Sequence, residues 1–480
     1  MANLTRRELL LSSLALPAFA QAKQLNVLFF AVDDLRPELG CYGAKTILSP
    51  HMDRIAQRGM TFMRAYCQQA VCSPSRTSLM TGARPDTTKV WDLVTHFRDA
   101  MPAAPTLAGH FKQHGYYVQG MGKIFHPGYD DERSWSTPWK TPGAPNYASV
   151  KTAEVLDEDA KKKSKNGPAF ESADVPDDFY KDGKVAAMAV ETLQGLAKKP
   201  EPFFLAVGFA KPHLPFVAPK KYWDLYDPAR IELASNPYHP KNAPAYALTS
   251  SGELRNYQGM PADGPIPGQS ARQLKHGYYA AASYTDAQIG KVLDELERLG
   301  LTRNTVIVLW GDHGWKLGEH GEWCKHSNME NDTNAPLLMS VPGMKQAGQR
   351  TTALVEFVDI YPTLAELAGL PLPAHLEGTS FKPLLDNPRR AWKPAVFSQY
   401  PRGRKVMGYA MRTDRYRLTV WLDRTDHSKV EAIELYDHHN DPAENTNIAD
   451  EAASAALVKR LMAQWKQGWQ GAKKSLGKQV

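Results

Sequence analysis

The sequence predicts an α/β protein built on a large, mostly parallel sheet. Four short apolar runs have the continuous hydrophobic character of strands that are buried on both faces. Segments with helical periodicity separate these runs, and this alternation favours a parallel sheet with helices on both faces. Each run ends in ionisable residues, and ligands bind at the carboxyl edge of such a sheet. The 480 residues, 42% of them hydrophobic, are enough to form a large core.

Ionisable residues follow each of the four predicted strands. The first strand, Asn26–Val32, precedes two adjacent acids, Asp33 and Asp34. Like charges at the end of a buried strand are unfavourable unless a cation compensates, although a solvated turn is an alternative interpretation. Because the carboxyl ends of parallel strands meet at one edge, we expect all these side chains to share a site. The other predicted strands are 116–118, 202–207 and 305–310. The ionisable residues that follow them are Lys123 and His126, Lys211 and His213, and Asp312 and His313, respectively.

Helical patterns connect the strands, and several carry start or stop signals. Pro50 suits a first helical position, and Gly300 and Gly369 are typical of helix ends. Two long stretches without such patterns, residues 130–178 and 227–268, are typical of binding loops or of disorder. The predicted helices are 50–58, 106–113, 184–197, 271–299 and 355–368.

Beyond about residue 393 the pattern changes to short strands joined by turns, followed by an amphipathic helix over residues 452–469. This pattern predicts a small C-terminal α+β subdomain with a short antiparallel sheet. The predicted strands are 395–399, 408–412, 417–421 and 433–437. The predicted organisation is an export signal at residues 1–22, a main α/β domain at 23–392 and the subdomain at 393–480.

The first 22 residues have the features of an export signal. Arg6 and Arg7 precede an apolar stretch that is too short to span a bilayer, and small residues follow it. The arginine pair also resembles a twin-arginine signal. No later stretch is long and apolar enough for a membrane helix. We therefore expect export machinery to deliver a soluble protein to the periplasm or the extracellular space.

Charge and cysteine content exclude several classes of protein. The net charge of +7 weakly favours a polyanionic substrate, but no basic stripe or nucleic-acid-binding motif is present. The four cysteines are too few for a disulfide scaffold, and their spacing does not suit a zinc site. A bridge between Cys67 and Cys324 remains open beside the alternative of free, buried thiols. The four are Cys41, Cys67, Cys72 and Cys324.

The segment from Cys72 to Gly82 predicts a short helix that begins at the cysteine. Pro74 suits its first turn and Gly82 its C-cap. The unpaired N–H groups at a helix N-terminus favour an anion, and Arg76 adds a fixed positive charge one turn later. A tetrahedral oxyanion ester suits this position. The alternative is a buried cysteine at the start of an ordinary helix.

The pentapeptide Cys72-Ser73-Pro74-Ser75-Arg76 fits Cys-x-Pro-Ser-Arg, in which sulfatases convert the cysteine to formylglycine. Several other segments resemble the iduronate-2-sulfatase-like branch of this family, namely 68–72, 82–88, 314–325, 398–402 and 407–413. The resemblance implies an alkaline-phosphatase-like sandwich and a maturation enzyme that converts Cys72. It also implies a sulfated oligo- or polysaccharide as substrate.

The resemblance also implies roles for individual residues. Calcium is the usual metal of the family, with Mg²⁺ as the alternative, since oxygen ligands suit both. The implied metal ligands are Asp33, Asp34, Cys72, Asp312 and His313. The implied substrate-binding residues are Lys123, Lys211, His213 and Lys325. The implied catalytic residues are Cys72, Arg76, Lys123, His126, His213 and Asp312.

The implied mechanism proceeds through the hydrated aldehyde at position 72. One hydroxyl attacks sulfur near the metal and Asp312, and His213 protonates the departing sugar oxygen. His126 then removes the proton of the second hydroxyl, so that sulfate is expelled. The roles of the two histidines are open to exchange. His320 either lines the pocket or braces its loop.

Three other functions remain open. Phosphonate and phosphodiester hydrolases of the same superfamily can also carry formylglycine. A sulfatase could act on algal polysaccharide instead of a 2-sulfated uronate. A glycan receptor without catalysis is the third alternative, but every chemical position of the motif set is present.

Overall fold

The computed structural model describes residues 24–149 and 166–476. The predicted export signal at residues 1–22 lies outside the described residues. A seven-stranded sheet in the order β12-β2-β11-β10-β1-β7-β4 forms the centre of the molecule. Only β11 runs against its neighbours, so the sheet is mostly parallel, as predicted. Its strands are β1 (Asn26–Val32), β2 (Met60–Phe62), β4 (Tyr117–Gly122), β7 (Phe203–Phe209), β10 (Thr305–Gly311), β11 (Leu337–Ser340) and β12 (Gln349–Thr351).

Strand β1 lies between β10 and β7 and is parallel to both. Its last residue, Val32, pairs with Gly311 on one side and Phe209 on the other. The three strands therefore end at the same level. This register brings the residues that follow them, among them Asp33 and Asp312, to one edge of the sheet.

Helices cover both faces of the sheet. In the described part of the chain they are α1 (Pro50–Arg58), α2 (Cys72–Thr81), α3 (Pro85–Thr88), α4 (Leu107–Gln113), α5 (Lys181–Leu196), α6 (Lys220–Trp223), α7 (Gly252–Arg255), α8 (Gly268–Arg298), α9 (Glu330–Thr333), α10 (Ile360–Leu367), α11 (Lys382–Asp386), α12 (Ala455–Trp465) and α13 (Gly468–Leu476). The helices predicted at 50–58, 106–113, 184–197 and 271–299 are confirmed within three residues at each end.

Alternate residues of β1 pack into two separate cores, as the two-residue period of a strand requires. Leu28 and Phe30 pack into the core shared with α1, α5 and α8. Phe29 packs into the opposite core, shared with α2, α4 and α10. A strand buried on both faces is therefore a continuous apolar run, here residues 27–32, which explains why the strand is recognisable from the sequence.

The C-terminal part contains a four-stranded antiparallel sheet in the order β14-β15-β16-β17. Leu461 of α12 packs against this sheet. Its strands are β14 (Ala395–Arg402), β15 (Val406–Thr413), β16 (Tyr416–Asp423) and β17 (Val430–Asp437). The short antiparallel sheet of the predicted fold is thereby confirmed.

Three pairs of short strands complete the described architecture. They are β3 (Ala65–Tyr66) with β13 (Val355–Glu356), β5 (Asn166–Pro168) with β9 (Tyr257–Gln258), and β6 (Phe170–Ala173) with β8 (Phe216–Pro219). Within the described ranges, no helix has the length and apolar character needed to cross a membrane.

Two helix predictions were wrong in extent. The helix predicted over 355–368 begins only at Ile360, because residues 355–356 form β13 and a 3₁₀ turn follows. The helix predicted over 452–469 is divided into α12 and α13. Residues 466–467 separate the two helices, and Gly468 follows with a φ of 62°, a left-handed conformation that glycine adopts without strain.

Candidate active site

Four buried polar residues lie directly after β1 and β10. Asp33, Asp34, Asp312 and His313 are each 0% exposed. The Asp34 N–H donates to Asp312 Oδ1 at 3.1 Å, and the His313 N–H donates to the same oxygen at 3.1 Å. Asp34 has a φ of 56°, an uncommon backbone conformation for a residue other than glycine. Such outliers concentrate at functional sites.

Cys72 is the first residue of α2, as the sequence predicted, and Gly82 caps the other end in a left-handed conformation. The Cys72 Sγ lies 3.3 Å from Asp33 Oδ1 and 3.3 Å from His313 Nε2. Burial raises the pKa of the Cys72 thiol well above its usual range. The unmodified side chain is therefore a neutral thiol and a weak nucleophile.

Arg76 joins the two acidic strand ends from the next turn of α2. Its Nε donates to Asp312 Oδ2 at 2.9 Å, and its Nη2 donates to Asp33 Oδ1 at 3.2 Å. All three side chains are completely buried. A guanidinium suits this bridge because its donors are fixed in one plane.

Two lysines contact the same acidic cluster. Lys123 contacts Asp33 through its ammonium group, which also lies 3.9 Å from the Cys72 Sγ. Lys325 donates to Asp34 Oδ2 at 3.1 Å, and its Nζ lies 4.8 Å from the centre of the Trp315 ring. Burial alone would raise the pKa of Asp33, but neighbouring charges, chiefly Lys123, hold it well below the usual range.

His213 points its ring towards the acidic cluster. Its Nδ1 lies 2.6 Å from the Leu214 carbonyl oxygen, which is an acceptor, so this nitrogen carries a proton. Its Nε2 lies 3.1 Å from Glu253 Oε1 and 3.9 Å from Asp34 Oδ2. The side chain is 26% exposed, so an incoming ligand can reach it.

Lys211 and His126 lie at the site without direct contact with Cys72. The Lys211 Nζ donates to the carbonyl oxygens of His213 at 2.7 Å and Pro215 at 2.6 Å. Burial lowers the pKa of Lys211 to about 8 and that of His126 to about 4. Both residues line a cavity of about 250 Å³, together with Asp33, Lys123, His213, Trp139, Tyr180 and Tyr284.

The residues at the strand ends fit a divalent cation. One ligand atom from each of Asp33, Cys72, Asp312 and His313 lies within 4.8 Å of the others. Asp34 Oδ1 is buried without a hydrogen-bond partner, which is unfavourable unless a cation binds it. Mostly oxygen ligands suit Ca²⁺ or Mg²⁺.

Sequence reasoning missed two acids at the site. Glu253 of α7 contacts both His213 and Lys325. Asp182 accepts hydrogen bonds from the backbone N–H groups of Ala210 and Lys211, and so fixes the turn that carries the lysine. Neither acid follows a strand or belongs to a motif, so the sequence held no signal beyond the loop character of residues 227–268.

Two open alternatives about other residues are answered by the structure. All four cysteines are buried and free, so Cys67 and Cys324 are not bridged. His320 is completely buried with a φ of 56°, and its N–H donates to the Asn236 carbonyl oxygen. It therefore braces its loop and does not line the cavity.

Comparisons with known proteins agree with this geometry. The family model described as Sulfatase matches residues 25–370, and that described as N-sulphoglucosamine sulphohydrolase, C-terminal, matches residues 318–470. Iduronate 2-sulfatase from Mus musculus is 35% identical, over 91% of this chain and 93% of that protein.

Solved structures share the fold at lower identity. BT4656, solved with its substrate D-glucosamine-2-N,6-O-disulfate, has a TM-score of 0.75 and 21% identity, over 94% of this chain and 99% of that chain. A phosphonate monoester hydrolase of Agrobacterium radiobacter has a TM-score of 0.73 and 20% identity, over 92% and 95%. The chain belongs to the sulfatase family, within the alkaline phosphatase superfamily, and is a sulfuric ester hydrolase.

Proposed function

We propose that the protein is an exported, metal-dependent sulfatase that removes sulfate from a sulfated carbohydrate, with a 2-sulfated uronate as its preferred substrate. The observation that carries this proposal is the position of Cys72, within 3.3 Å of both Asp33 and His313 and beside the Lys123 ammonium group. The identity to iduronate 2-sulfatase supports the choice of substrate. Sulfated algal polysaccharide is the alternative substrate.

Cys72 is proposed to be converted to formylglycine by a maturation enzyme. The raised pKa of its thiol makes the unmodified residue unsuited to nucleophilic attack. The hydrated aldehyde would supply the attacking hydroxyl. Peptide mass analysis of an active preparation tests this proposal, because it predicts a modified residue at position 72. An active preparation with only intact Cys72 would refute it.

Asp33, Asp34, Asp312, His313 and the converted Cys72 are proposed to hold the metal, which would stabilise negative charge on the ester. We predict that a chelator abolishes sulfate release and that Ca²⁺ or Mg²⁺ restores it. The measurement is the rate of sulfate release before and after dialysis against the chelator. Full activity in the metal-free protein, verified by metal analysis, would contradict the proposed site.

The chain's own side chains are proposed to bind the ester and transfer protons. Lys123 places positive charge beside Cys72, and Lys325 places it at Asp34 of the same cluster, so both can stabilise the charge that develops on the sulfate oxygens. In its doubly protonated form, His213 can donate the Nε2 proton to the leaving oxygen, while its Nδ1–H stays engaged with the Leu214 carbonyl oxygen. His126 has a pKa lowered to about 4, so it is neutral at pH 7 and can accept a proton.

A phosphonate or phosphodiester hydrolase is the second candidate function, because a phosphonate monoester hydrolase shares the fold with a TM-score of 0.73. The paired comparison of an aryl sulfate with an aryl phosphate diester separates the two. The proposed function predicts the higher kcat/KM for the sulfate. A higher kcat/KM for the diester would favour the second candidate.

Export is proposed from residues 1–22, which lie outside the described structure. Fractionation of the host cell, followed by N-terminal sequencing, tests this proposal. Recovery of an intact N-terminus only inside the cytoplasm would refute it.

A further inference from the structure

Glu253 lies beside Lys325 and His213 on a well-anchored segment. Its helix α7 is joined to the loop that carries Lys325, because Ser251 Oγ accepts from the Trp323 N–H at 2.9 Å. The Thr249 N–H also donates to Glu322 Oε1 of that loop, at 2.5 Å. The Arg255 side chain donates to three backbone carbonyl oxygens within the same segment. Glu253 is therefore held in place beside the candidate sulfate site.

The Glu253 carboxylate pairs with two of the groups that are proposed to act on the ester. Its Oε2 lies 2.8 Å from Lys325 Nζ, and its Oε1 lies 3.1 Å from His213 Nε2. The Glu253 side chain is 21% exposed, whereas Lys325 is 2% exposed and Asp34 is fully buried. A ligand that reaches Lys325 and His213 therefore meets this carboxylate.

The positive charge of Lys325 is already stabilised by groups other than Glu253. The lysine already pairs with Asp34 at 3.1 Å and lies over the Trp315 ring. Burial acts to raise the pKa of Glu253, but the charges of Lys325 and His213 hold it well below the usual range. A second, ionised and accessible carboxylate beside an anion-binding site disfavours further anionic groups of the ligand.

We propose that Glu253 selects the substituent next to the scissile sulfate ester, by accepting a hydrogen bond from a free vicinal hydroxyl and repelling a vicinal anionic group. The inference rests on the proposed sulfatase function and narrows its substrate class. The preferred substrate is a sugar with one sulfate ester and a free hydroxyl on the adjacent carbon. A vicinal disulfate is a poor substrate, because it places a second anion against the carboxylate.

The Glu253 carboxylate attracts a vicinal hydroxyl, which can donate a hydrogen bond, and repels a vicinal anion. A free vicinal hydroxyl can donate a hydrogen bond to the Glu253 carboxylate, and a ligand that lacks this hydroxyl loses that interaction. Like charges brought together at an interface are strongly unfavourable. Both effects raise kcat/KM for the monosulfate relative to kcat/KM for the vicinal disulfate.

The test compares a monosulfated sugar that has a free vicinal hydroxyl with the vicinal disulfate of the same sugar. An aryl sulfate serves as a third substrate that shows whether the site hydrolyses sulfate esters at all. The variants are Glu253→Gln, which removes the charge, and Glu253→Asp, which retains it. Glu366→Gln is the matched control, because Glu366 is an exposed carboxylate that pairs only with Lys382 in the described contacts.

We expect the wild-type protein to prefer the monosulfate by about 100-fold in kcat/KM. Glu253→Gln should reduce this ratio at least tenfold, while Glu253→Asp and Glu366→Gln largely retain it. Equal kcat/KM values for the two sugars in the wild type would overturn the inference. An equal loss on both sugars in Glu253→Gln would also overturn it, since a purely structural role predicts that result. No release from any substrate by the wild type would overturn the proposed function, and the inference with it.

Discussion

At the scale of single residues, the site combines buried charges with very different protonation behaviour. Lys123 and Lys325 each pair with a carboxylate, but Lys211 faces only carbonyl oxygens in the described contacts. Without a close counter-ion, burial lowers the pKa of Lys211 to about 8. Lys211 is therefore a lysine of the site whose charge changes near neutral pH.

This difference predicts a pH dependence of substrate binding. A lysine with a lowered pKa is charged below that pKa and neutral above it, so binding weakens as pH rises through about 8. We expect KM to increase by up to about 10-fold between pH 7 and pH 9, because the charged fraction of a lysine with a pKa of about 8 falls about tenfold over this range. In Lys211→Met, KM should be raised already at pH 7 and should change little over the same range. The same steep rise in Lys211→Met would show that another group titrates.

The residue scale also sets the limit of sequence reasoning about the site. The sequence identifies Asp33 and Asp312 because each follows an apolar run, and Cys72 because it begins a recognisable motif. Glu253 could not be named, because its contact with Lys325 depends on the path of an irregular loop. Lys211 was expected to contact sulfate, and its carbonyl contacts could not be foreseen from its sequence.

At the scale of elements, the close approach of β7 to the segment after β4 positions Lys123. A Cβ atom at Gly208 would lie 2.2 Å from the Lys123 carbonyl oxygen and 2.6 Å from its backbone nitrogen. The Lys123 N–H donates to the Gly208 carbonyl oxygen at 2.9 Å. Only glycine permits this contact, so the strand itself fixes the lysine backbone.

Gly208→Ala should therefore displace Lys123 and lower both stability and kcat. We expect a loss of about 1–3 kcal/mol in the free energy of unfolding, which is typical of overpacking in a core. Urea unfolding and steady-state kinetics measure the two effects. Gly195→Ala on α5 is the matched control, since no atom lies within 4 Å of its added Cβ. Equal behaviour of the two variants would contradict the account of this contact.

A second contact between elements makes stability depend on pH. Asp286 of α8 accepts hydrogen bonds from the backbone N–H groups of Met52 at 2.7 Å and His51 at 3.1 Å, in the first turn of α1. Burial raises the pKa of Asp286 to about 7. The folded protein therefore binds a proton that the unfolded chain releases near pH 4, and this contribution to stability is lost as pH rises from about 4 to about 7.

Asp286→Asn should thus become more stable relative to the wild type as pH rises from 5 to 8. Thermal unfolding of both proteins at several pH values measures the difference. Asp294→Asn is the control on the same helix, because Asp294 is 61% exposed. A difference between Asp286→Asn and the wild type that is constant over this pH range would contradict the assignment.

The elements that the sequence predicted well are those buried on both faces or marked by caps. Strand β1 is a continuous apolar run, and α1 begins at a proline and ends before a glycine. The strands at the other edge, β2, β11 and β12, are three or four residues long, too short for a periodic signal. Residues 355–368 show the related error, because an apolar segment that changes from strand to helix keeps its hydrophobic character throughout.

At the scale of the whole molecule, the C-terminal sheet is joined to the site-bearing part through buried ion pairs. Arg417 of β16 pairs with Glu444 at 2.6 Å and also contacts Glu330 of α9. Arg412 of β15 pairs with Glu330 at 3.2 Å. The two arginines of the sheet keep these acidic partners only if the sheet stays in one position beside the site. The ion pairs therefore favour one fixed arrangement of the sheet. The sequence indicated both parts of the fold but not the pairs that join them.

The proposed activity depends on this whole arrangement, and the release of sulfate tests it most directly. The substrate is a heparan or dermatan oligosaccharide with a terminal 2-sulfated uronate, and the matched control is Cys72→Ala. We predict sulfate release by the wild type and none above background by the variant. Equal release by Cys72→Ala, or no release by a wild-type protein with a modified residue 72 and bound metal, would contradict the proposed function.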